Sequence, residues 1–150
     1  IIVGFPGETG MHFANSVKAF QTIKYDMAYI AQYSRRAGTA AAKLEDNINP
    51  KEKKRRQDRL NAVLKKTALT HCKKFIGKTV DVLVDSQKTE NKNGKPLKFI
   101  LGKSRHYKTV KFPYEAADIN PGDIVSVKII KAQSFGLIGE FATSKQNILK

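Results

Sequence analysis

The chain has 150 residues, of which 28 are Lys or Arg and 13 are Asp or Glu, and its formal net charge is +15. That length allows one ordinary domain or two small ones. No apolar stretch approaches the roughly 20 residues that span a bilayer, and no secretory signal is recognisable, so we expect a cytoplasmic location. The single cysteine, Cys72, excludes an internal disulfide and a multi-cysteine metal or cluster site within these residues.

The positive charge is unevenly distributed along the chain. Residues 51–74 hold 10 basic and 2 acidic residues, against 5 and 4 in residues 1–50 and 13 and 7 in residues 75–150. A basic excess of this size favours a polyanionic partner, because each phosphate that a cation neutralises releases condensed counterions. We therefore expect a nucleic acid as the partner. A solubilising surface and an anionic membrane surface are the alternatives.

The amino-terminal part of the chain has the pattern of a strand, a helix and a second strand. The run Ile-Ile-Val in residues 1–5 is typical of a strand buried on both faces of a parallel sheet. Apolar residues then recur at helical spacing, and Thr9 is placed to cap that helix. They are Phe13, Val17, Phe20 and Ile23. The apolar run 26–33 predicts the second strand, and such a βαβ unit needs neighbouring strands.

A long helix over residues 50–75 follows a loop that has no clear periodicity apart from a short helical turn. Asn49 can cap this helix, Pro50 suits its first position, and Glu52 is placed to reach back to the cap. Its apolar face continues almost to Gly77, which supplies a stop. The members of that face are Leu60, Val63, Leu64, Thr67, Ala68, His71, Cys72 and Phe75.

From residue 79 onward the hydrophobic period changes to two, which predicts strands. Val82 and its alternate neighbours share one face, and Leu83 lies on the other face with acidic residues. The predicted segments are a strand at 79–86, a polar turn at 88–96, two strands in 97–112 and two more in 120–141. We expect Gly102 near a bend and residues 143–150 to be a frayed tail. Five short antiparallel strands indicate a small all-β barrel, which removes its edges by closing.

Two loops at the carboxyl ends of the predicted parallel strands are candidate binding sites. The first is the glycine-rich turn GFPGE, because backbone amides and a helix N-terminus face the ligand crevice there in α/β proteins. Its glycines equally suit a plain tight turn, in which the negative charge of Glu8 would interact favourably with the dipole of the following helix. In the second loop, YSRRAGT, Arg35 and Arg36 would either grip a phosphate or simply be solvated. The residues alone leave both interpretations open for each loop.

Other chemically notable residues predict no catalysis. The basic run at the start of the long helix is typical of a solvated helix face, a localisation signal or a phosphate-binding patch. Cys72 is interpreted as a small core residue, since the adjacent His71 points elsewhere on the helix. His12 and His106 have no partners at ligand spacing. We therefore expect neither a catalytic residue nor a metal site in this chain.

The predicted barrel interleaves cations with aromatic side chains. Small antiparallel barrels use such mixtures to follow a nucleic-acid backbone with cations and to stack bases on aromatic rings. The cations are Lys98, Lys103, Arg105, Lys108 and Lys111, and the aromatic residues beside them include Phe99, His106, Tyr107 and Phe112. The alternative is that the rings fill the barrel and the lysines keep it soluble. With the charge of the whole chain, RNA binding through Tyr107 and these cations is the favoured interpretation.

Several stretches of the sequence, taken in order, resemble the carboxyl-terminal third of the radical-SAM methylthiotransferases. They are IIVGFPGET, YSRRAGT with AAAKLED, a Lys/Arg-rich helix, FIGKTVDVLV, and VKIIKAQSFGLIGEF. The resemblance covers residues 1–142 and is strongest to the MiaB-type tRNA methylthiotransferases. Arg36 aligns with the arginine of the family's Tyr-Ser-Pro-Arg-Pro-Gly-Thr, and Arg35 and Ala37 replace its two prolines.

The resemblance implies a piece of a modular enzyme, an α/β part followed by a β part. Residues 1–49 would be the last βα units of a radical-SAM partial TIM barrel, residues 50–75 a basic linker helix, and residues 76–142 a TRAM domain. A TRAM domain is a small antiparallel all-β barrel, OB-like, that binds RNA. The family uses S-adenosylmethionine and 4Fe-4S clusters to add a methylthio group to isopentenyladenosine beside the anticodon. The implied partner is the anticodon stem-loop of tRNA. No membrane partner is implied, and the protein is expected to be a monomer.

The resemblance also implies cofactor-binding residues. Ile2, Gly4 and Glu8 would lie near the adenosyl group of S-adenosylmethionine, and Tyr33 and Ser34 at the rim of the same site. One cysteine cannot hold a cluster, so the chain would supply RNA binding and one wall of the cofactor pocket without being active alone. Two alternatives remain open. One is a stand-alone RNA-binding protein without catalysis, and the other is a sibling enzyme that acts on threonylcarbamoyladenosine in tRNA or on an aspartate of a ribosomal protein.

Overall fold

A computed structural model describes residues 1–92, 94–113 and 119–142. The chain divides into two compact units, Ile1–Ala68 and Leu69–Lys150. Each unit has a hydrophobic core of its own. The finer domain division that the resemblance implies stays a prediction.

The first unit begins with the predicted order of strand, helix and strand. Strands β1 (Ile2–Val3) and β2 (Ala31–Gln32) pair in parallel, and helix α1 (Gly10–Ile23) lies between them in sequence. The strands are much shorter than the apolar runs of the sequence suggest. Parallel strands are normally covered by neighbours on both sides. Among the described residues this sheet has two strands, and Ile1 and Ile2 are accordingly exposed.

Local capping fixes where the helices begin. Thr9 Oγ1 accepts a hydrogen bond from His12 N at 3.2 Å, and Thr9 N donates to His12 Nδ1, so the predicted cap forms a capping box. Helix α2 (Pro50–Lys73) begins after Asn49, whose Oδ1 accepts from Glu52 N at 2.9 Å. The Glu52 carboxylate pairs with arginines on the next turn instead of reaching back to the cap, which corrects that prediction.

The core of the first unit lies between β1, α1 and α2. Its buried apolar side chains are Val3, Phe13, Phe20, Leu60 and Leu64. The two leucines lie four residues apart, so they share one face of α2, as predicted. A short 3-10 helix (Ala40–Lys43) lies between β2 and α2 in sequence. Within the described ranges, neither α-helix combines the length and the apolar character needed to cross a membrane.

Among the described residues, the second unit is a closed barrel of five strands. In their order around the barrel they are β3 (Thr79–Lys92), β4 (Lys95–Ser104), β5 (Thr109–Pro113), β7 (Gly136–Phe141) and β6 (Ile124–Gln133). Val82 and Val84 are buried in the core, whereas Asp81 and Leu83 are exposed on the outer face, as the alternation predicts. Further core residues include Ile100, Val110, Phe112, Val127 and Leu137.

The barrel is mixed, and the prediction of a purely antiparallel barrel is wrong. Strands β5 and β7 pair in parallel, with Thr109 opposite Gly136 and Lys111 opposite Ile138, whereas the other neighbouring pairs of the described barrel are antiparallel. A closed ring with an odd number of strands cannot alternate direction all the way round. Closure of this barrel therefore requires a parallel pair, and the pattern of any single strand carries no sign of it.

The turns of the barrel also differ from the predicted ones. Strand pairing continues through most of the predicted polar turn at 88–96. Gly102 lies inside β4, three residues before the bend, and a side chain there would collide with the backbone oxygen of Leu83 on β3. The bend between β4 and β5 is formed by residues 105–108. The predicted tail, residues 143–150, lies outside the described residues.

Candidate functional site

The glycine-rich turn after β1 is tied to helix α2 by an ion pair. The Glu8 carboxylate accepts a hydrogen bond from Gly4 N at 2.5 Å and pairs with Arg56 Nη1 at 2.7 Å. Arg56 Nη1 also donates to the Glu8 carbonyl oxygen at 2.8 Å. The side chains of Glu8 and Arg56 are 11% and 8% exposed. This pair holds the turn in one geometry, and loss of either partner would leave a nearly buried charge unpaired.

Lys53 packs directly against the same turn. Gly4 has a φ of +70°, and the stem of Lys53 occupies the place that a Cβ at Gly4 would need. Both the backbone conformation and the packing therefore require glycine there. The Lys53 ammonium pairs with Asp46 at 2.6 Å and lies 5.1 Å from the centroid of the Tyr33 ring. Lys53 is buried, so it acts as a core residue of the first unit.

The basic run at the start of α2 divides between the interior and the surface. Lys53 and Arg56 are buried, contrary to the prediction of a solvated helix face. They continue, at helical spacing, the inward stripe of Leu60 and Leu64. That register is the signal in the sequence from which their burial could have been predicted. The exposed cations of the run are Lys51, Lys54 and Arg55.

Glu52 links the buried and the exposed cations of this run. Its carboxylate accepts hydrogen bonds from Arg55 Nε at 2.6 Å and from Arg56 Nε at 2.8 Å. The hydrogen bonds from Arg55 and then Arg56 lower the pKa of the Glu52 carboxyl from 4.5 to about 2. Glu52 therefore stays charged under mildly acidic conditions and, in the first turn of α2, also complements the helix dipole.

The residues predicted to contact S-adenosylmethionine differ in what they offer a ligand. The Gly4 amide and the Glu8 carboxylate are engaged with each other, and the Tyr33 hydroxyl donates to a carbonyl of the 3-10 helix at 3.0 Å. Ile2 and Ser34 are exposed. The fit to the cofactor is therefore partial. An apolar side chain and one hydroxyl are accessible, while the other residues shape the turn and the loop. Contact of all these residues with the cofactor stays a prediction.

The described residues do not fit an iron–sulfur cluster. Among residues 1–92, 94–113 and 119–142, no three His, Cys, Asp or Glu side chains are placed to hold a metal ion. Cys72, the one cysteine of the chain, is buried in the core of the second unit, with its Sγ 3.8 Å from the Ser134 carbonyl oxygen. A cluster needs several thiolates, and this chain has one.

The loop after β2 presents its two arginines on the surface. Arg35 and Arg36 are both exposed. Arg35 Nε donates to the Ala42 carbonyl oxygen at 2.8 Å, and the Arg36 carbonyl accepts from Thr39 Oγ1 at 2.9 Å. These bonds fold the loop onto itself while the guanidinium groups remain accessible. Phosphate binding by this loop stays a prediction.

The barrel cations predicted to contact RNA fall into two groups. The exposed ones are Lys98, Lys103 and Arg105. Lys108 is buried, and Lys111 is half-buried, with its ammonium 2.8 Å from Glu90 and 3.6 Å from the centroid of the Phe99 ring. The first group is accessible to a polyanion in this structure, whereas Lys108 is buried and the ammonium of Lys111 is engaged with Glu90 and the Phe99 ring.

Tyr107 is presented to solvent by a conformationally restricted turn. It is 85% exposed and has a φ of +60°, which is uncommon for residues other than glycine. Tyr107 N donates to the Ser104 carbonyl oxygen at 2.8 Å, and Ser104 N donates to the Lys108 carbonyl oxygen at 3.0 Å. Lys103 Nζ lies 5.6 Å from the Tyr107 ring centroid. The turn therefore holds an aromatic ring in solvent beside a cation.

A groove of about 330 Å³ lies on the outer face of the barrel, where β6, β3 and β4 are neighbours. We name it the outer-face groove, and its lining residues are Asp81, Leu83, Lys103, Ser104, Arg105, Tyr107 and Ile124. Leu83 is 48% exposed and pairs with Lys103 on β4 and with Ile124 on β6. Leu83 and Ile124 are not among the site residues that the sequence predicts. The available signal was a leucine between Asp81 and Asp85 on an otherwise polar strand face.

Comparisons with known proteins show which family and which relatives the chain resembles. Residues 73–142 match the TRAM domain family. Over 142 residues, or 93% of the chain, the sequence is 41% identical to the tRNA-2-methylthio-N(6)-dimethylallyladenosine synthase of Clostridium botulinum. It is 38% identical over the same length to the protein of that name from Bacillus subtilis. The chain spans 30% and 26% of the lengths of these relatives. The resemblance to the MiaB-type methylthiotransferases is thereby confirmed.

Proposed function

We propose that this chain is the carboxyl-terminal part of a tRNA methylthiotransferase and that it binds the tRNA. The complete enzyme would add a methylthio group to isopentenyladenosine beside the anticodon. The observation that carries the proposal is the similarity, over 93% of the chain, to synthases named for dimethylallyladenosine. That name favours this acceptor over the threonylcarbamoyladenosine and ribosomal-protein acceptors of sibling enzymes. The charge of +15 supports the RNA-binding part.

In this proposal the first unit belongs largely to a radical-SAM barrel. Residues 1–49 would be the last βα units of that barrel, residues 50–75 the connecting helix, and residues 76–142 the RNA-binding barrel. The parallel pairing of β1 with β2 supports membership of a larger parallel sheet, since such sheets bury their strands between neighbours. The exposed apolar side chains of Ile1 and Ile2 support it as well.

S-adenosylmethionine and 4Fe-4S clusters would supply the radical chemistry of the complete enzyme. Ile2 and Ser34 would line one wall of the cofactor pocket, because their side chains are accessible. Gly4 and Glu8 would position that wall through the ion pair with Arg56. Cysteines outside this chain would hold the clusters, since the one cysteine here is a core residue.

The barrel would hold the anticodon stem-loop through its exposed cations and an aromatic ring. The proposed phosphate contacts on the barrel are Lys98, Lys103 and Arg105. Tyr107 would stack on a base, since its ring is exposed and aromatic stacking tolerates any sequence. Arg35 and Arg36 would add phosphate contacts from the loop after β2. We expect the protein to work as a monomer in the cytosol.

Salt-dependent binding tests the RNA-binding part of the proposal. The affinity of the chain for a labelled RNA hairpin with a single-stranded loop would be measured by fluorescence anisotropy at several salt concentrations. We expect log K to fall linearly with log salt, by roughly 0.7 to 0.9 per phosphate contact. Polyglutamate of matched charge is the control and should bind more weakly. Equal affinity for both polymers, with a shallow slope, would contradict the proposal.

Nucleoside analysis tests the reaction. Deletion of the gene should remove 2-methylthio-N6-isopentenyladenosine from hydrolysed tRNA and leave isopentenyladenosine in its place. The methylthio derivative of threonylcarbamoyladenosine serves as the internal control and should be unchanged. An unchanged peak of the first nucleoside would exclude the assigned acceptor, and loss of the second would indicate the sibling reaction.

A further inference from the structure

We propose that the outer-face groove takes one unstacked base of single-stranded RNA and prefers bases that carry an amino group. The inference rests on the proposed function, because it requires that the chain bind RNA. Beyond that function, it specifies that a single base of the RNA enters the outer-face groove and that the groove favours certain bases. Three properties of the groove lead to it: an apolar and aromatic surface, cations beside that surface, and a carboxylate.

The apolar and aromatic surface suits a flat base. Tyr107 is 85% exposed, and Leu83 and Ile124 add apolar area to the lining of the same groove. The left-handed backbone of Tyr107 is a conformation that costs free energy and is most often kept where it serves a site. Here it presents the ring instead of folding it into the core. A groove of about 330 Å³ is near the lower limit for small-ligand sites, which fits one base better than a paired helix.

The cations of the groove suit the phosphates on either side of such a base. Arg105 Nε lies 3.7 Å from Asp81 Oδ2, and the side chains are 79% and 45% exposed. An exposed ion pair of that length is weak and is readily exchanged for a phosphate contact. Lys103 Nζ donates to Thr109 Oγ1 at 2.7 Å, next to the Tyr107 ring. The two cations therefore make the groove complementary to a nucleotide rather than to an uncharged apolar ligand.

Asp81 gives the groove a preference among bases. An ionised carboxylate accepts hydrogen bonds and donates none. It can accept from the exocyclic amino groups of cytosine, adenine and guanine, whereas uracil has no amino group and its one ring donor, N3–H, lies between two carbonyl oxygens that repel a carboxylate. Ser126 Oγ donates to Asp81 Oδ1 at 3.4 Å, which orients the carboxylate from the neighbouring strand β6. A base held against Tyr107 is therefore favoured when it carries an amino group that donates a hydrogen bond to Asp81.

Substitutions at Tyr107 test whether the ring binds the base. The probes are fluorescein-labelled single-stranded oligo(C) and oligo(U), with anisotropy as the readout and the complete 150-residue chain as the protein. We expect Y107A to raise the Kd for oligo(C) about tenfold and Y107F to change it by less than about twofold. Y107G should lose as much affinity as Y107A, although glycine suits the turn at φ +60°. Y29A is the matched control, because Tyr29 is 84% exposed in the first unit.

Substitution of Asp81 tests the base preference. The unaltered chain should bind oligo(C) at least about fivefold more tightly than oligo(U). D81N should reduce that preference to near unity, because an amide both donates and accepts hydrogen bonds. D85N is the matched control, since Asp85 is an exposed acidic residue on the same strand and is not among the lining residues of the groove. We expect it to leave the preference unchanged.

Tyrosine fluorescence gives a second readout that does not depend on affinity. The chain has five tyrosines and no tryptophan, so tyrosine emission is directly observable. Stacking of a base on Tyr107 should quench part of that emission. We expect oligo(C) to quench little of the emission of Y107F, because that variant lacks the tyrosine on which the base stacks. The quenching should persist in Y29F.

The outcomes separate the inference from the proposed function. If the unaltered chain binds neither oligonucleotide but binds the RNA hairpin, the groove inference alone is overturned, and if it binds none of the three RNAs, both are overturned. If it binds RNA but Y107A and Y29A behave alike, the groove inference is overturned and the RNA-binding function stands. If D81N leaves the preference for oligo(C) intact, the proposed base preference is overturned. If Y107A weakens binding of polyglutamate as much as binding of oligo(C), the groove takes an acidic peptide or any polyanion, and base recognition is overturned.

Discussion

Two cations of the first unit and two of the second lie in opposite environments. In the first unit, Lys53 and Arg56 are buried and pair with carboxylates at 2.6 and 2.7 Å. In the second, Lys103 and Arg105 are exposed beside an aromatic ring, and the Arg105 ion pair is 3.7 Å long. Part of the densest basic run of the sequence, at residues 51–56, thus stabilises the glycine-rich turn. The more widely spaced cations Lys103 and Arg105 on the barrel are accessible to solvent. Local charge density alone therefore does not locate an RNA site.

The largest expected effect comes from removing the buried arginine. R56A leaves the Glu8 carboxylate, 11% exposed, without its cation, and such a loss costs about 3 kcal/mol. Amide hydrogen exchange in α1 is the measurement, because a chain of two units need not unfold in one step. R55A is the matched control: Arg55 pairs with Glu52 from a side chain that is 64% exposed, and its loss should destabilise the first unit much less than the loss of Arg56. Equal losses would show that Arg56 is no more structural than its neighbour.

The next effect separates backbone strain from packing at the turn. G4A and G7A both force alanine into a left-handed conformation, with φ of +70° and +81°, at about 1 to 2 kcal/mol each. Only at Gly4 would the new methyl group also collide with Lys53, which adds roughly 1 kcal/mol or more. Hydrogen exchange of the first unit should therefore show G4A to be the less stable variant. A G7A variant as unstable as G4A would mean that Lys53 does not pack against the turn.

Much of the fold could be predicted because its causes are local in sequence. Thr9 and Asn49 cap helices through side chains that reach only a few residues, and the burial of Val82 beside exposed Leu83 follows from the period of a strand. The barrel was predictable because five consecutive strands have edges that closing removes. A closed ring of five strands requires a parallel pair, but no single strand shows that the pair is β5 with β7.

The candidate sites were harder to predict because burial depends on partners distant in sequence. Glu8 and Arg56 are 48 residues apart, and the sequence around either residue gives no sign that the two form an ion pair. At Gly102, the backbone of Leu83 on the adjacent strand excludes a side chain, and the pattern of β4 alone does not show that contact. The cations that flank Tyr107 in the sequence predict that it binds RNA. The left-handed turn that exposes its ring is visible only in the structure.

The smallest effect concerns the pH dependence of the first turn of α2. The folded pKa of Glu52, about 2, lies below the ordinary value of 4.5. Its stabilising contribution is therefore complete above about pH 4.5, declines as the pH falls and is lost below about pH 2. E52Q should be less stable than the unaltered chain at pH 7, by about 0.5 kcal/mol since the pairs are partly solvated. The difference should disappear in acid.

Thermal unfolding at several pH values measures this contribution. D58N is the control, because Asp58 pairs with Lys54 through side chains that are 56% and 62% exposed. We expect D58N to change the melting temperature less than E52Q at pH 7. A stability difference between E52Q and the unaltered chain that persists unchanged below pH 2 would mean that the charge of Glu52 is not its cause.

The salt dependence of RNA affinity tests most directly whether the exposed cations of the outer-face groove are RNA contacts. K103A/R105A removes two cations of the outer-face groove, and K128A/K131A removes two exposed lysines of β6 outside that groove, with the same loss of charge. For single-stranded RNA we predict that the first variant flattens the slope of log K against log salt by about 1.4, at roughly 0.7 per phosphate contact. The second should change it by less than half as much. Equal flattening by both variants would contradict a defined RNA site and would leave only a general attraction of a basic protein for a polyanion.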